Sequence, residues 1–173
     1  MAFFEPEDQF TLVFSTSFSW QSRIIRMMCH SQFSHVDLKV YDIEPYGLMG
    51  AADGGVAIRL HDEWPFKSYH ETTIRHPNAA VFKQLVRSQL GKPFDDVALH
   101  QVISEIPRDW KKPDRWFCSE LQAWALEEAD IIKIIVPKNR VTPGDLLLLL
   151  NPFIEAKEFW ASVNPSLNMV VVP

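Results

Sequence analysis

The sequence predicts an α+β fold in which a mostly antiparallel sheet packs against segregated helices. Three observations carry that expectation. After its opening strand the first half of the chain holds one helical run, then a series of short β-patterned runs broken by turn residues. The second half changes to runs with helical spacing, bounded by Pro and Gly. The 173 residues contain no internal repeat, low-complexity tract or linker, so residues 1–173 read as a single domain, large enough to bury a sizeable core.

The elements follow in order. "QFTLVFS" (9–15) has the composition of a strand. "SWQSRIIRMMCH" (19–30) carries Trp20, Ile24, Met27 and Met28 at helical spacing, with Ser19 as an N-cap. "SHVDLKVYD" (34–42) alternates: Val36, Leu38 and Val40 point one way, while His35, Asp37 and Lys39 point the other, as in a half-exposed strand. "YGLMGAAD" and "GVAIRL" are two strands joined at the turn Asp53-Gly54-Gly55. "SYHETTIRH" (68–76) is a polar strand placed near an edge. "NAAVFKQLVRSQLG" (78–91) is a helix entered after Pro77 and stopped at Gly91. "DDVALHQVISEI" (95–106) is a second helix of this half, capped by Asp95 and ended by Pro107; the charged, Pro-bounded loop "IPRDWKKPD" follows. Residues 118–129 form a helix with Leu121, Trp124, Ala125 and Glu128 at helical spacing. "VTPGDLLLLL" (141–150) is a turn leading into a short helix or strand, and the tail stays irregular until "MVVV".

Composition narrows the function. Hydrophobic residues make up 47% and charged residues 23%, within the range of globular domains. The net charge of −5 gives no electrostatic support to a nucleic-acid partner. It also argues mildly against adhesion to an anionic surface, and no amphipathic basic segment stands out. No apolar run reaches membrane-spanning length, so no membrane anchor is expected. "MAFFEPEDQF" lacks a basic region followed by an apolar run, so no signal peptide is expected and the default location is cytoplasmic. With only Cys29 and Cys118, there is no disulfide framework and no paired-cysteine zinc site. His61, His70, His76 and His100 show no i,i+4 pairing with a second ligand type, so no metal and no other cofactor is expected.

The stretch "RWFCSELQAWALEEAD" (115–130) puts Cys118 at the start of a helix, with Ser119 and Glu120 in the first turn. Unpaired amides and the positive end of the helix dipole favour a thiolate there. The same position also suits a buried, inert cysteine, and position alone does not separate the two readings. A thiolate nucleophile needs a base beside it, itself oriented by a third group. His35, on the polar face of its strand, is the residue to test as that base.

Five blocks, "FSHVDLKV", "LMGAADGGVAIRLHDEW", "LGKPFDD", "WFCSEL" and "VTPGDL", occur in that order between about residues 12 and 150. Together they resemble the permuted papain-like cysteine hydrolases of the YiiX type, relatives of the NlpC peptidases and of lecithin–retinol acyltransferase. In that family the histidine strand precedes the cysteine helix, the reverse of papain's order. The resemblance implies a circularly permuted papain-like fold, with Cys118 as the nucleophile that forms a thioester. It implies His35 as the base that later protonates the leaving group. The amide of Cys118 would contribute to an oxyanion hole, with a second donor near Ser15 to Ser17. One departure stands out. Many members carry a polar residue on the strand after the histidine, and the corresponding position here is Gly50. Asp53 is the candidate that would take that role, although Asp-Gly-Gly is also an ordinary turn. Asp37, two residues along the histidine's own strand, a backbone carbonyl or a water are the other options.

Glu120 and Ser119 read as helix-start residues, Asp95 and Asp96 as caps, and Cys29 as a buried, inert thiol. Trp64, Trp116 and Phe117 are candidates for groove walls or for core. The function implied is a cysteine hydrolase of peptidase or amidase type, acting on a peptide-like or acyl substrate. The alternatives are a catalytically inactive binding module of the same fold, for which Gly50 is the best support, and an acyltransferase. The oligomeric state is not encoded in any of these features.

Overall fold

The computed structural model describes residues 6–95, 114–154 and, for the backbone alone, 170–171. The strands are β1 (Gln9–Ser17), β2 (His35–Val40), β3 (Gly47–Ala52), β4 (Gly55–Leu60), β5 (Phe66–Arg75) and β6 (Val170–Val171). The helices are α1 (Trp20–Met28), α2 (Ala79–Arg87), α3 (Cys118–Glu128) and α4 (Pro143–Leu150). The strands form one antiparallel sheet in the order β4-β3-β2-β1-β5-β6. This is the α+β plan expected, with the histidine strand ahead of the cysteine helix. The polar strand β5 lies one place from the sheet edge, flanked by the two-residue β6.

Burial explains the layering. Phe10, Leu12 and Phe14 of β1, Val36 and Leu38 of β2 and Met49 of β3 pack against Phe82 and Val86 of α2. The same core takes in Leu121, Ala125 and Leu126 of α3 and Leu146 and Leu150 of α4. The alternation in β1 and β2 supplies one apolar face per strand, and the helices cover it. Gln122 ties α3 to the sheet by donating from Nε2 to the Met49 carbonyl at 3.2 Å.

Three local expectations change. β2 is not half-exposed: Asp37 is as buried as Leu38. Its polar face lies under a second small cluster of Val13, Leu48 and Phe66 with Tyr46, Trp64 and Tyr69, brought across by the turn after β4. Alternation shows that the two faces differ, not that the polar one meets water. In α1 the stripe Trp20, Ile24, Met27 and Met28, which spacing alone would put inside, is split: Trp20 and Met27 are exposed, Ile24 is half-buried, and Met28 packs against Ile25, Phe117 and Cys118. The inward side of the helix is Ser22 and Ile25. "VTPGDLLLLL" resolves to a helix, with Pro143 at its start and Thr142 accepting from the Asp145 amide at 3.1 Å. Of the run 95–106, only Asp95 lies within the described residues, as does only Asp114 of the charged loop before Arg115.

Candidate active site

Cys118 is the first residue of α3 and 1% exposed. Phe117 precedes the helix in extended conformation and cannot cap it with its side chain. The first turn is stabilised instead by Glu120, whose Oε2 accepts from the Phe117 amide at 3.4 Å. Ser119 donates from Oγ to the Val141 carbonyl at 2.6 Å, which fixes the helix start against the segment before α4. Both residues are helix-start devices, as expected. The Cys118 amide belongs to the group at a helix N-terminus that has no intrahelical acceptor.

His35 opens β2, opposite Ser15 of β1. Its Nε2 lies 2.9 Å from Oδ2 of Asp37. Cys118 lines the same cleft as His35, close enough for its charge to act on the imidazole, and its Sγ lies 4.0 Å from the Ser34 carbonyl oxygen. The Trp64 ring stacks on the imidazole at 4.9 Å and fixes its plane. Burial pulls the His35 pKa down, but the charges of Asp37 and Cys118 and their hydrogen bonds outweigh it. The net effect raises it from 6.5 to about 10. The arrangement therefore favours an imidazolium at neutral pH.

The carboxylate hydrogen-bonded to His35 is that of Asp37. Asp53 lies exposed in the β3–β4 turn at the rim of the cleft. Two glycines with φ of 90° and 109° make that turn tight and hold Asp53 at its outer corner. Asp37 is reached because residues two apart on a strand share a face. Its second oxygen, Oδ1, lies 3.9 Å from Nη1 of Arg59 and accepts no hydrogen bond among the described residues. Arg59 is held by donating to the Gly50 carbonyl at 3.2 Å and the Gly55 carbonyl at 2.8 Å, with Trp64 beneath its guanidinium.

Gly50 now has a physical account. A Cβ at this position would stand 2.1 Å from Asp37 Oδ1. A side chain here would meet the Asp37 carboxylate where it now lies, and one of the two would have to shift. The departure from the polar pattern and the presence of Asp37 are two halves of one arrangement. Alternation alone put Asp37 on the correct face, but the clash at Gly50 required coordinates.

Cys118 and His35 meet in a cleft of about 550 Å³. One side is polar: Ser15, Ser17, Ser19, Gln21, Ser22 and Ser34. The other includes Trp64, Pro65, Phe94 and Phe117, so Trp64 and Phe117 are wall residues. Trp116 is core: it packs on Trp124 at 5.0 Å and donates from Nε1 to Gln89 at 3.1 Å. The serine side is tied together by Ser22 and Ser34, whose hydroxyls lie 2.7 Å apart, and by the Ser17 amide donating to Ser22 at 3.1 Å. Ser15 Oγ is buried, lines the cleft and has no hydrogen-bond partner among the described residues. Cys29 is half-buried against the Ile25, Phe117 and Cys118 cluster.

No family model matches the chain, and no curated protein matches it. Among solved structures it is similar to a crystal structure of the metalloprotein yiiX from Escherichia coli O157:H7, with a TM-score of 0.53 and 23% sequence identity. The match covers 70% of this chain and 66% of that one, so the likeness spans less than two thirds of the neighbour's length. It shows a yiiX-like α+β fold. The description as a metalloprotein belongs to that neighbour. Among the described residues of this chain no group of three or more His, Cys, Asp or Glu is placed to hold a metal ion.

Proposed function

We propose that the protein is a cysteine hydrolase of the permuted papain-like type, related to the NlpC peptidases, that cleaves an amide or related acyl bond. The observation that carries the reading is that Asp37 holds His35 at 2.9 Å and that His35 shares one cleft with a buried cysteine at a helix start. A helix N-terminus and an adjacent imidazolium are the two influences that most favour a thiolate.

In this reading Cys118 Sγ attacks the substrate carbonyl carbon and forms a tetrahedral oxyanion. The Cys118 amide donates to that oxyanion, and Ser15 Oγ is the second donor. The C–N or C–O bond then breaks, and the leaving group takes the proton from His35, giving a thioester. Water attacks the thioester, its proton passes to His35, and the acid and free thiolate are restored. A raised His35 pKa suits the acid half of this cycle, because the imidazole already carries the proton that the leaving group needs. Asp37 holds the ring in place throughout.

The test is the pH dependence of iodoacetamide alkylation at Cys118, followed by peptide mapping, in wild type and His35→Ala. The expected outcome is rapid labelling well below the free-thiol pKa of about 8.5, lost in His35→Ala. Slow labelling at ordinary thiol pH, indifferent to His35→Ala, would make the protein a non-catalytic module of the same fold.

A further inference from the structure

From Gln9 to Val36 the chain carries no Asp or Glu, although the whole protein has 22. Its charged residues in that stretch are Arg23 and Arg26, with His30 and His35 as titratable groups. The stretch contains α1, whose outward face is Trp20, Arg23, Ile24 and Met27 by i, i+3, i+4, i+7 spacing. Trp20 is 63% exposed and Met27 66%, and Phe18, just before the helix, is 68% exposed. Arg26 lies half-buried at the flank of this face.

A surface helix ordinarily turns its apolar stripe inward. Here the inward side is secured by Ser22 through the serine network and by Ile25, and the aromatic and sulfur-bearing side is left in solvent. Scattered exposed apolar residues need no explanation; three large ones within ten residues, on one corner and among cations, do. The same corner borders the cleft, since Ser17, Ser19, Gln21 and Ile25 all line it.

We propose that the Phe18–Trp20–Met27 face docks the protein onto an anionic lipid surface, with the cleft held next to that surface. Aromatic and sulfur side chains would enter the headgroup boundary while Arg23 and Arg26 meet the lipid charge. Charge supports this occupant: in a chain of net charge −5, residues 9–36 hold two arginines and no carboxylate, so the local sign is opposite to that of the chain as a whole. The docking is independent of the chemistry assigned to Cys118.

The experiment is co-sedimentation of the full chain with phosphatidylcholine vesicles, with and without phosphatidylglycerol. Wild type is expected to bind the anionic vesicles, and to release as salt rises. Phe18→Ser/Trp20→Ser is expected to lower the partition roughly tenfold or more. Arg23→Gln is expected to lower it about fivefold on anionic vesicles and to change nothing on neutral ones. Ile135→Ser/Val136→Ser, which removes apolar groups exposed elsewhere (99% and 53%), is expected to leave it unchanged. Absence of binding to anionic vesicles, or equal binding by the Phe18/Trp20 variant, would overturn the proposal. So would a wild-type dimer that dissociates in that variant without vesicle binding, which would assign the face to a second copy of the chain. Cys118 labelling in the same variants is expected to stay at wild-type rate, so loss of docking and loss of thiol activation are read separately.

Discussion

The relation between Asp37 and Gly50 is the sharpest feature at the scale of single residues. Asp37 is 1% exposed, and one of its oxygens is committed to His35. Burying a carboxylate is costly unless its partners are in place, so this group is retained where it offsets that cost by holding an imidazolium. Two substitutions reach the same point from opposite sides. Asp37→Asn removes the charge that raises the His35 pKa, while Gly50→Ala leaves the charge but occupies the position of Oδ1. Both are expected to move the imidazole titration, followed by NMR, down from about 10. Loss of the proton at lower pH withdraws the positive charge beside Cys118 over the interval so vacated. An unchanged titration in Gly50→Ala would mean that Asp37 and the added methyl coexist. Cys118 and His35 were singled out in the sequence by local position, a helix start and the polar face of a strand, but only the resemblance joined them as a pair. Gly50 was legible only as a departure, because its meaning is a distance to a residue on the neighbouring strand.

At the scale of elements, the site depends on where α3 begins. Its first residue is the candidate nucleophile, and nothing in the Phe117 side chain marks that start. The start is defined by Glu120 accepting from the Phe117 amide and by Ser119 donating to Val141. The latter bond ties α3 to the capping box of α4, in which Thr142 and Asp145 exchange hydrogen bonds. Ser119→Ala leaves the buried Val141 carbonyl without its donor and is expected to cost about 1–3 kcal/mol in urea unfolding. Thr142→Ala removes a cap only and is expected to cost about 1 kcal/mol. Ser119→Ala is further expected to slow Cys118 labelling, and Thr142→Ala to leave it alone, because only the first bond touches the turn that carries the thiol. Equal labelling in both variants would locate the start of α3 elsewhere. Helix periodicity made α3 visible in the sequence, and "VTPGDL" marked the turn before the next element. That the two are hydrogen-bonded to each other follows from tertiary packing, as does the covering of β2 on its polar face.

At the scale of the whole molecule, the fold class was readable because each element's period is written locally, and the order of strand, helix, strands and helices leaves few ways to layer them. The strand order was not readable, since pairing β1 between β2 and β5 joins residues as far apart as Gln9 and Arg75. The candidate site inherits that long-range character. It draws Ser15 from the end of β1, His35 and Asp37 from β2, Gly50 from β3 and Cys118 from α3, so no fragment of the chain contains it. Thiol activation should then be a property of the cooperative fold and not of any local helix. In urea at mildly acidic pH, the fast alkylation of Cys118 is expected to disappear in a single transition that coincides with the loss of tryptophan fluorescence. Above that transition the thiol should label at the rate set by the ordinary pKa of about 8.5. Activation lost at lower urea than fluorescence would show that α3 detaches from the sheet as a separate unit. Activation that survived the fluorescence change would trace the thiolate to the helix start alone, and the roles of His35, Asp37 and Gly50 in activating the thiol would fall together.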